Sequence, residues 1–168
     1  VYRRAREMGL HLVAHAGEAA GPESVWSAME DLGVEHIGHG VAAAADPELM
    51  AGLLKRGVVI ETCPVSNVRT GVIRSVEEHP IRTFFDHGLK VTVNSDDPSM
   101  FGTDMNNEYL QLHWRLGFTI QELFRLSLNA VDFSFLPEDE KTTMRDSFTK
   151  EYEKLTSAGL DDHRSQKP

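Results

Sequence analysis

The sequence predicts an α/β fold built from parallel βαβ units, and three observations carry that prediction. Four short apolar runs, "LHLVAHA", "VEHIGHG", "GVVIETCP" and "LKVTVNSDDP", alternate with stretches of helical character. Each intervening helical stretch has proline near its start (Pro22, Pro47, Pro80) and glycine just past its end (Gly33, Gly57, Gly88), the usual asymmetry of helix termini. The glycines lead directly into the next apolar run. Strand and helix repeating with such short connections is the signature of parallel strands joined by crossover helices.

The elements follow in order. "VYRRAREMGL" reads as the last turns of a helix closing at Gly9, and the first strand is expected over residues 10–16. "PESVWSAMEDLG" is a helix, followed by a strand over 34–40. In "DPELMAGLLKRG" Asp46 is the N-cap and Pro47 occupies the first turn, and a strand follows over 57–64. "HPIRTFFDHG" repeats the plan before the strand at 89–98. The chain is helical thereafter. Met105, Tyr109, Leu112 and Leu116 recur at helical spacing, and Thr119 with Glu122 forms a capping box. "PEDEKTTMRDSFTKEYEKL" is a polar helix expected to lie on the outside. Residues 1–160 read as one domain, with a disordered tail over 161–168.

Composition narrows the function. The chain has 168 residues and a formal net charge of −9, which argues against a nucleic-acid backbone as partner. No apolar run approaches the roughly 20 residues that a membrane span needs. Cys63 is the single cysteine, so an intramolecular disulfide is excluded and a reducing, cytoplasmic setting is expected.

The polar residues that stand out share one position, the C-terminal end of each apolar run. His15 and Glu18 follow the first, His39 ends the second, Cys63, Ser66 and Asn67 the third, and Asp96 with Asp97 the fourth. In parallel α/β folds that end of the strands carries the chemistry. Each motif alone has a plainer reading. "HAGE" also suits a backbone-bonded histidine and a carboxylate near a helix start, with Gly17 turning the chain. "CPVSN" also reads as a turn, with Cys63 a small buried residue and Ser66 and Asn67 fixing a loop. His36 reads as structural, whereas His39 sits between two glycines that let a ligand approach. Asp96 and Asp97 are adjacent carboxylates, which disfavour one another's ionisation in a low-dielectric site unless a metal or donor offsets them; a solvated turn before Pro98 is the other reading. HExxH, Gly-x-Ser-x-Gly, P-loop and Pro-Cys-x-x-Cys patterns are absent.

Taken in order, "HAGE", "HIGHG", "CPVSN" and "NSDDP" resemble the motifs of the adenosine deaminase family of metal-dependent (β/α)8-barrel amidohydrolases. The resemblance covers most of residues 9–135. It implies a partial (β/α)8 TIM barrel: the last four βα units plus C-terminal helices. It implies zinc (Zn2+) held by His15 and Asp96, and Glu18 as proton donor to the purine ring nitrogen beside the reacting carbon. It also implies His39 as base and electrostatic partner of the attacking water, with Asp97 and Gly17 on the substrate side. The family's His-x-His zinc ligands have no counterpart upstream of His15, so the chain is expected to need the N-terminal half of the barrel and to be inactive alone.

The expected reaction is zinc-dependent hydrolysis of a 6-aminopurine nucleoside, adenosine to inosine and ammonia. Glu18 would need burial to raise its pKa for that role. Adenine and aminofutalosine are rival substrates, Arg69 offering a partner for the latter's carboxylate. A non-catalytic half-barrel relic is the reading from outside enzymology.

Overall fold

A computed structural model describes residues 1–158. The chain opens with α1 (Tyr2–Glu7), β1 (Val13–Ala16) and α2 (Pro22–Ser27), which widens into a π turn over Ala28–Leu32. β2 (His36–His39), a 3-10 stretch over Val41–Ala45 and α3 (Pro47–Arg56) follow. Then come β3 (Val59–Thr62), α4 (Pro64–Arg69), α5 (Ile81–Asp86) and β4 (Lys90–Val93). The remainder is α6 (Pro98–Phe101), α7 (Met105–Leu116), α8 (Ile120–Asp132) and α9 (Glu138–Ser157).

The local signals act as expected. The Asp46 carboxylate accepts from the Glu48 and Leu49 N–H groups, opening α3, and its other oxygen accepts from the Trp26 indole at 2.8 Å. Gly33 and Gly57 close their helices in the left-handed conformation, which costs glycine little. Thr119 and Glu122 form the capping box of α8. α9 buries none of its residues, as its composition predicts, and meets α8 through a Phe124–Tyr152 stack at 4.0 Å.

The strands pair in parallel in the order β1-β2-β3-β4. Sequence-adjacent strands lying side by side, without a reversal of order, is the arrangement of consecutive units in a β/α barrel, not of a doubly wound sheet. Alternation along each strand divides its side chains between two faces. Ile37, Ile60 and Val91 point to the helices and are fully buried with Leu49, Leu53 and Phe84. Burying each such side chain contributes roughly 1.5–3 kcal/mol. On the opposite face the register aligns His15, Gly38, Glu61 and Thr92 in a row across the sheet. No helix among the described residues is long and apolar enough to cross a membrane.

One local expectation is corrected. "CPVSN" is not a plain turn but the start of α4, with Cys63 at its N-cap position. Proline at the first helical position and burial of Pro64, Val65, Ser66 and Asn67 account for it. The expected tail over 161–168 lies outside the described residues.

Candidate active site

Two strand ends carry unusual backbone. Among the described residues, His39 (φ 66°) and Asp96 (φ 58°) are the non-glycine positions with positive φ. That conformation costs an ordinary residue about 1–2 kcal/mol and persists where the surroundings enforce it. Both residues line one cavity of about 360 Å³ at the C-terminal end of the sheet, together with His15, Glu61 and Cys63.

Glycines shape this end by making room for protein groups. A Cβ on Gly38 would collide with the His15 ring, and one on Gly40 would lie 2.8 Å from Ile60 Cγ2. Of the glycines flanking His39, Gly38 lines the cavity and leaves room for the His15 ring across β2, and Gly40 sits on Ile60. The His15 and His39 rings consequently meet edge to face, 5.1 Å apart. Gly17 turns the chain after β1 with φ 69°; a Cβ there would lie 2.6 Å from Val25 Cγ2 and 3.3 Å from the Gly40 backbone. Its N–H donates to Ser24 Oγ at 2.8 Å.

The first turn of α4 organises the polar groups. Ser66 Oγ donates to Asp96 Oδ2 at 2.6 Å. The Asn67 amide nitrogen lies 3.1 Å from His39 Nδ1 and 3.3 Å from Glu18 Oε1. His39 Nε2 is 3.3 Å from Glu18 Oε2. Behind them, buried His79 places Nε2 3.2 Å from Asn67 Oδ1, and its Nδ1 accepts from the Ile81 N–H. Glu108 of α7 is also buried and holds α4 in place by accepting from the Val65 N–H and from Thr103 Oγ1. Burial pushes the Glu108 carboxyl above its usual range.

His15, Glu18, His39 and Asp96 are therefore gathered at one end of the sheet, and several expectations change in detail. Glu18 is half-buried among the described residues, its side chain 24% exposed. Asp96 and Asp97 are both exposed among the described residues, and Asp96 Oδ2 accepts from Ser66 Oγ. Asp97 caps α6 by accepting from the Met100 N–H at 3.1 Å. Arg69 is exposed at the end of α4 and does not line the cavity. His36 is structural as expected, buried with Nδ1 2.8 Å from Glu61. Ser66 and Asn67, read as loop-fixing, touch the site directly. His79 and Glu108 drew no attention in the sequence: a histidine before Pro80 at a helix start, and a glutamate within a helix, carry no local mark of burial.

The donors suit a metal. His39, Cys63 and Asp96 each place a ligand atom within 4.8 Å of the others, and His15 borders the same space. Burial first, and Asp96 second, push the Cys63 thiol up to about 12, so it holds its proton at neutral pH. A metal ligand must be a thiolate, which sets Cys63 apart from the imidazole and carboxylate donors.

A larger cavity of about 580 Å³ lies at the other end of the strands. Its histidines are already engaged: His11 pairs with Glu35 at 2.9 Å, His36 with Glu61, and Phe135 stacks on both rings. The smaller cavity instead lies at the C-terminal end of the strands, where parallel α/β folds carry their chemistry, and gathers His15, His39, Cys63 and Asp96 from four different strand ends, which marks it as the site.

Comparison with known proteins supplies the family. The family described as Adenosine deaminase matches residues 1–151. The chain is 48% identical over 145 residues to an aminodeoxyfutalosine deaminase of Streptomyces coelicolor, covering 86% of this chain and 38% of that protein. It is 44% identical to an adenosine deaminase of Serratia proteamaculans, covering 86% and 44%. Among solved structures, adenine deaminase from Arthrobacter aurescens superposes with a TM-score of 0.87 at 34% identity, covering 90% of this chain and 46% of that one. A zinc-bound amidohydrolase from Burkholderia ambifaria superposes with a TM-score of 0.84 at 30% identity, covering 94% and 44%. The chain thus spans less than half the length of the relatives it matches, and its sheet is an arc of their barrel. With its four strand-end motifs gathered in one cavity and the family matched along nearly all of its described length, the chain belongs to the adenosine deaminase family.

Proposed function

We propose that the protein containing this chain hydrolytically deaminates a 6-aminopurine nucleoside, converting adenosine to inosine and ammonia. The observation that carries the reading is the left-handed backbone of His39 and Asp96, which turns both toward a cavity shared with His15 and leaves Glu18 beside His39. The relatives named for purine deamination support it.

His15 and Asp96 would hold zinc, being an imidazole and a carboxylate, donors that zinc accepts. The other ligands come from the part of the barrel that this chain does not span. Bound zinc supplies a water whose pKa is about 7 instead of 15.7. Glu18 gives a proton to the ring nitrogen beside the amino-bearing carbon. The water oxygen bonds to that carbon and the exocyclic C–N bond breaks; one of the water's protons goes to the departing amino group, which leaves as ammonia, and the other returns to Glu18, so substrate and water balance the 6-oxopurine and ammonia. His39, beside Glu18, orients the water and offsets developing charge. Asp97 and Gly17 contact the purine. The reaction takes place in the cytoplasm, where Cys63 stays a thiol.

A second reading, an aminodeoxyfutalosine deaminase, is favoured by the 48% identical relative. Ammonia release by the full-length protein from adenosine, adenine and aminodeoxyfutalosine, alongside its zinc content, tests both. Adenosine is expected to give the highest kcat/KM with stoichiometric zinc. Preference for either rival overturns the adenosine reading, and no ammonia from any substrate identifies a non-catalytic relic.

A further inference from the structure

His79 lies behind the cavity, 2% exposed, and does not line it. The backbone N–H of Ile81 donates to its Nδ1 at 3.1 Å. A backbone N–H can only donate, so Nδ1 is unprotonated and the proton of the neutral ring sits on Nε2. That nitrogen is 3.2 Å from Asn67 Oδ1, and its N–H requires an acceptor there. The amide oxygen of Asn67 therefore faces His79, and its NH2 faces the site. The two amide hydrogens meet Glu18 Oε1 and His39 Nδ1. His39 Nδ1 must then accept, which leaves the proton of neutral His39 on Nε2, the nitrogen 3.3 Å from Glu18 Oε2. A single backbone N–H sets the polarity of the whole chain of contacts.

We propose that His79 is a positioning residue that sets the tautomer of His39 through the Asn67 amide, so that His39 presents a donor, not an acceptor, toward Glu18. Flipping the amide would bring its NH2 against the His79 N–H, two donors face to face in a buried space, which is strongly unfavourable. Burial, with the nearby charge of His39 second, pushes the His79 pKa down to about 3 and keeps the ring neutral. A protonated His79 would set its Nδ1–H against the Ile81 N–H and break the chain at its origin. The tautomer of His39 follows from the geometry alone; its effect on turnover rests on the deaminase reading above. At the nitrogen facing Glu18, His39 then stabilises charge by donating, and the base role expected from the family resemblance does not pass through that nitrogen.

The test is 15N-edited NMR of the histidine rings in the full-length protein, with kinetics in parallel. In the wild type, His39 is expected to show an unprotonated Nδ1 and a protonated Nε2. His79→Leu should mix the two tautomers of His39 and lower kcat about 10- to 100-fold with little change in KM, the scale seen for residues that orient a ligand or catalytic group. His79→Gln, whose side-chain amide can still donate to Asn67, should restore both the tautomer and most of kcat. A wild-type His39 protonated on Nδ1 overturns the proposal even if His79→Leu does not fold. So does a folded His79→Leu protein whose His39 tautomer is unchanged. If the tautomer responds while no purine is deaminated, the deaminase reading fails and the positioning role stands.

Discussion

Ser66 Oγ donates a 2.6 Å hydrogen bond to Asp96 Oδ2, tying the first turn of α4 to the end of β4. Asp96 has left-handed backbone, and among the described residues the Ser66 hydroxyl is the side-chain donor that its carboxylate meets. A hydroxyl–carboxylate bond of this length is charge-assisted and orients the second oxygen. Ser66→Ala should therefore weaken zinc binding by the full-length protein about 10- to 100-fold. Competition with a chelator of known affinity measures this, and unchanged affinity would show that Asp96 is oriented by other means.

Glu18 is the carboxyl group nearest His39, 3.3 Å from its Nε2. Glu18→Gln keeps the size and the hydrogen-bonding reach but removes the transferable proton. Turnover should fall about 10²–10⁴-fold, the usual worth of a positioned acid or base. Zinc content should stay at the wild-type level, since Glu18 is not among the proposed ligands. Full activity with normal zinc would remove Glu18 from the chemistry.

Gly17 is needed for its backbone and for its lack of a side chain. Gly17→Ala would put a Cβ 2.6 Å from Val25 Cγ2 at a residue with φ 69°. The left-handed conformation and the overpacking together should cost about 2–4 kcal/mol. Urea denaturation should show this as a lower midpoint at unchanged slope. A midpoint equal to that of the wild type would mean that the turn relaxes freely.

Stability should depend on pH through His79. Folding lowers its pKa from 6.5 to about 3, chiefly by burial. Between those values the unfolded chain binds a proton that the folded one does not, so stability falls as pH falls. The contribution is fully present above pH 6.5 and is lost toward pH 3, with a slope of at most about 1.4 kcal/mol per pH unit. Denaturation midpoints of wild type and His79→Gln across that range measure it. The substitution should flatten the acid limb, and parallel curves would show that His79 does not stay neutral.

Much of this protein was legible in its residues because the signals were local. Pro47 and Gly57 bracket α3, Thr119 and Glu122 open α8, and alternation places Ile37, Ile60 and Val91 on the core side. His15, Glu18, His39 and Asp96 stood out because polar residues ending apolar strands need a reason. Ser66 and Asn67 were visible, but their contacts were not. His79 and Glu108 were silent, since what makes them important is burial against partners 12 and 43 residues away.

By itself the sequence determined the order of strands and helices, the parallel sheet and the end of that sheet where chemistry collects. Those properties follow from hydrophobic period, helix termini and the twist of successive βα units, all short-range. Tertiary structure alone decided that Gly38 makes room for the His15 ring, that Asp96 accepts from Ser66 while Asp97 accepts from Met100, and that a backbone N–H in α5 reaches His39 through two side chains. Such facts depend on which side chains meet across units and on which way each buried donor points, and no spacing along the chain encodes that direction.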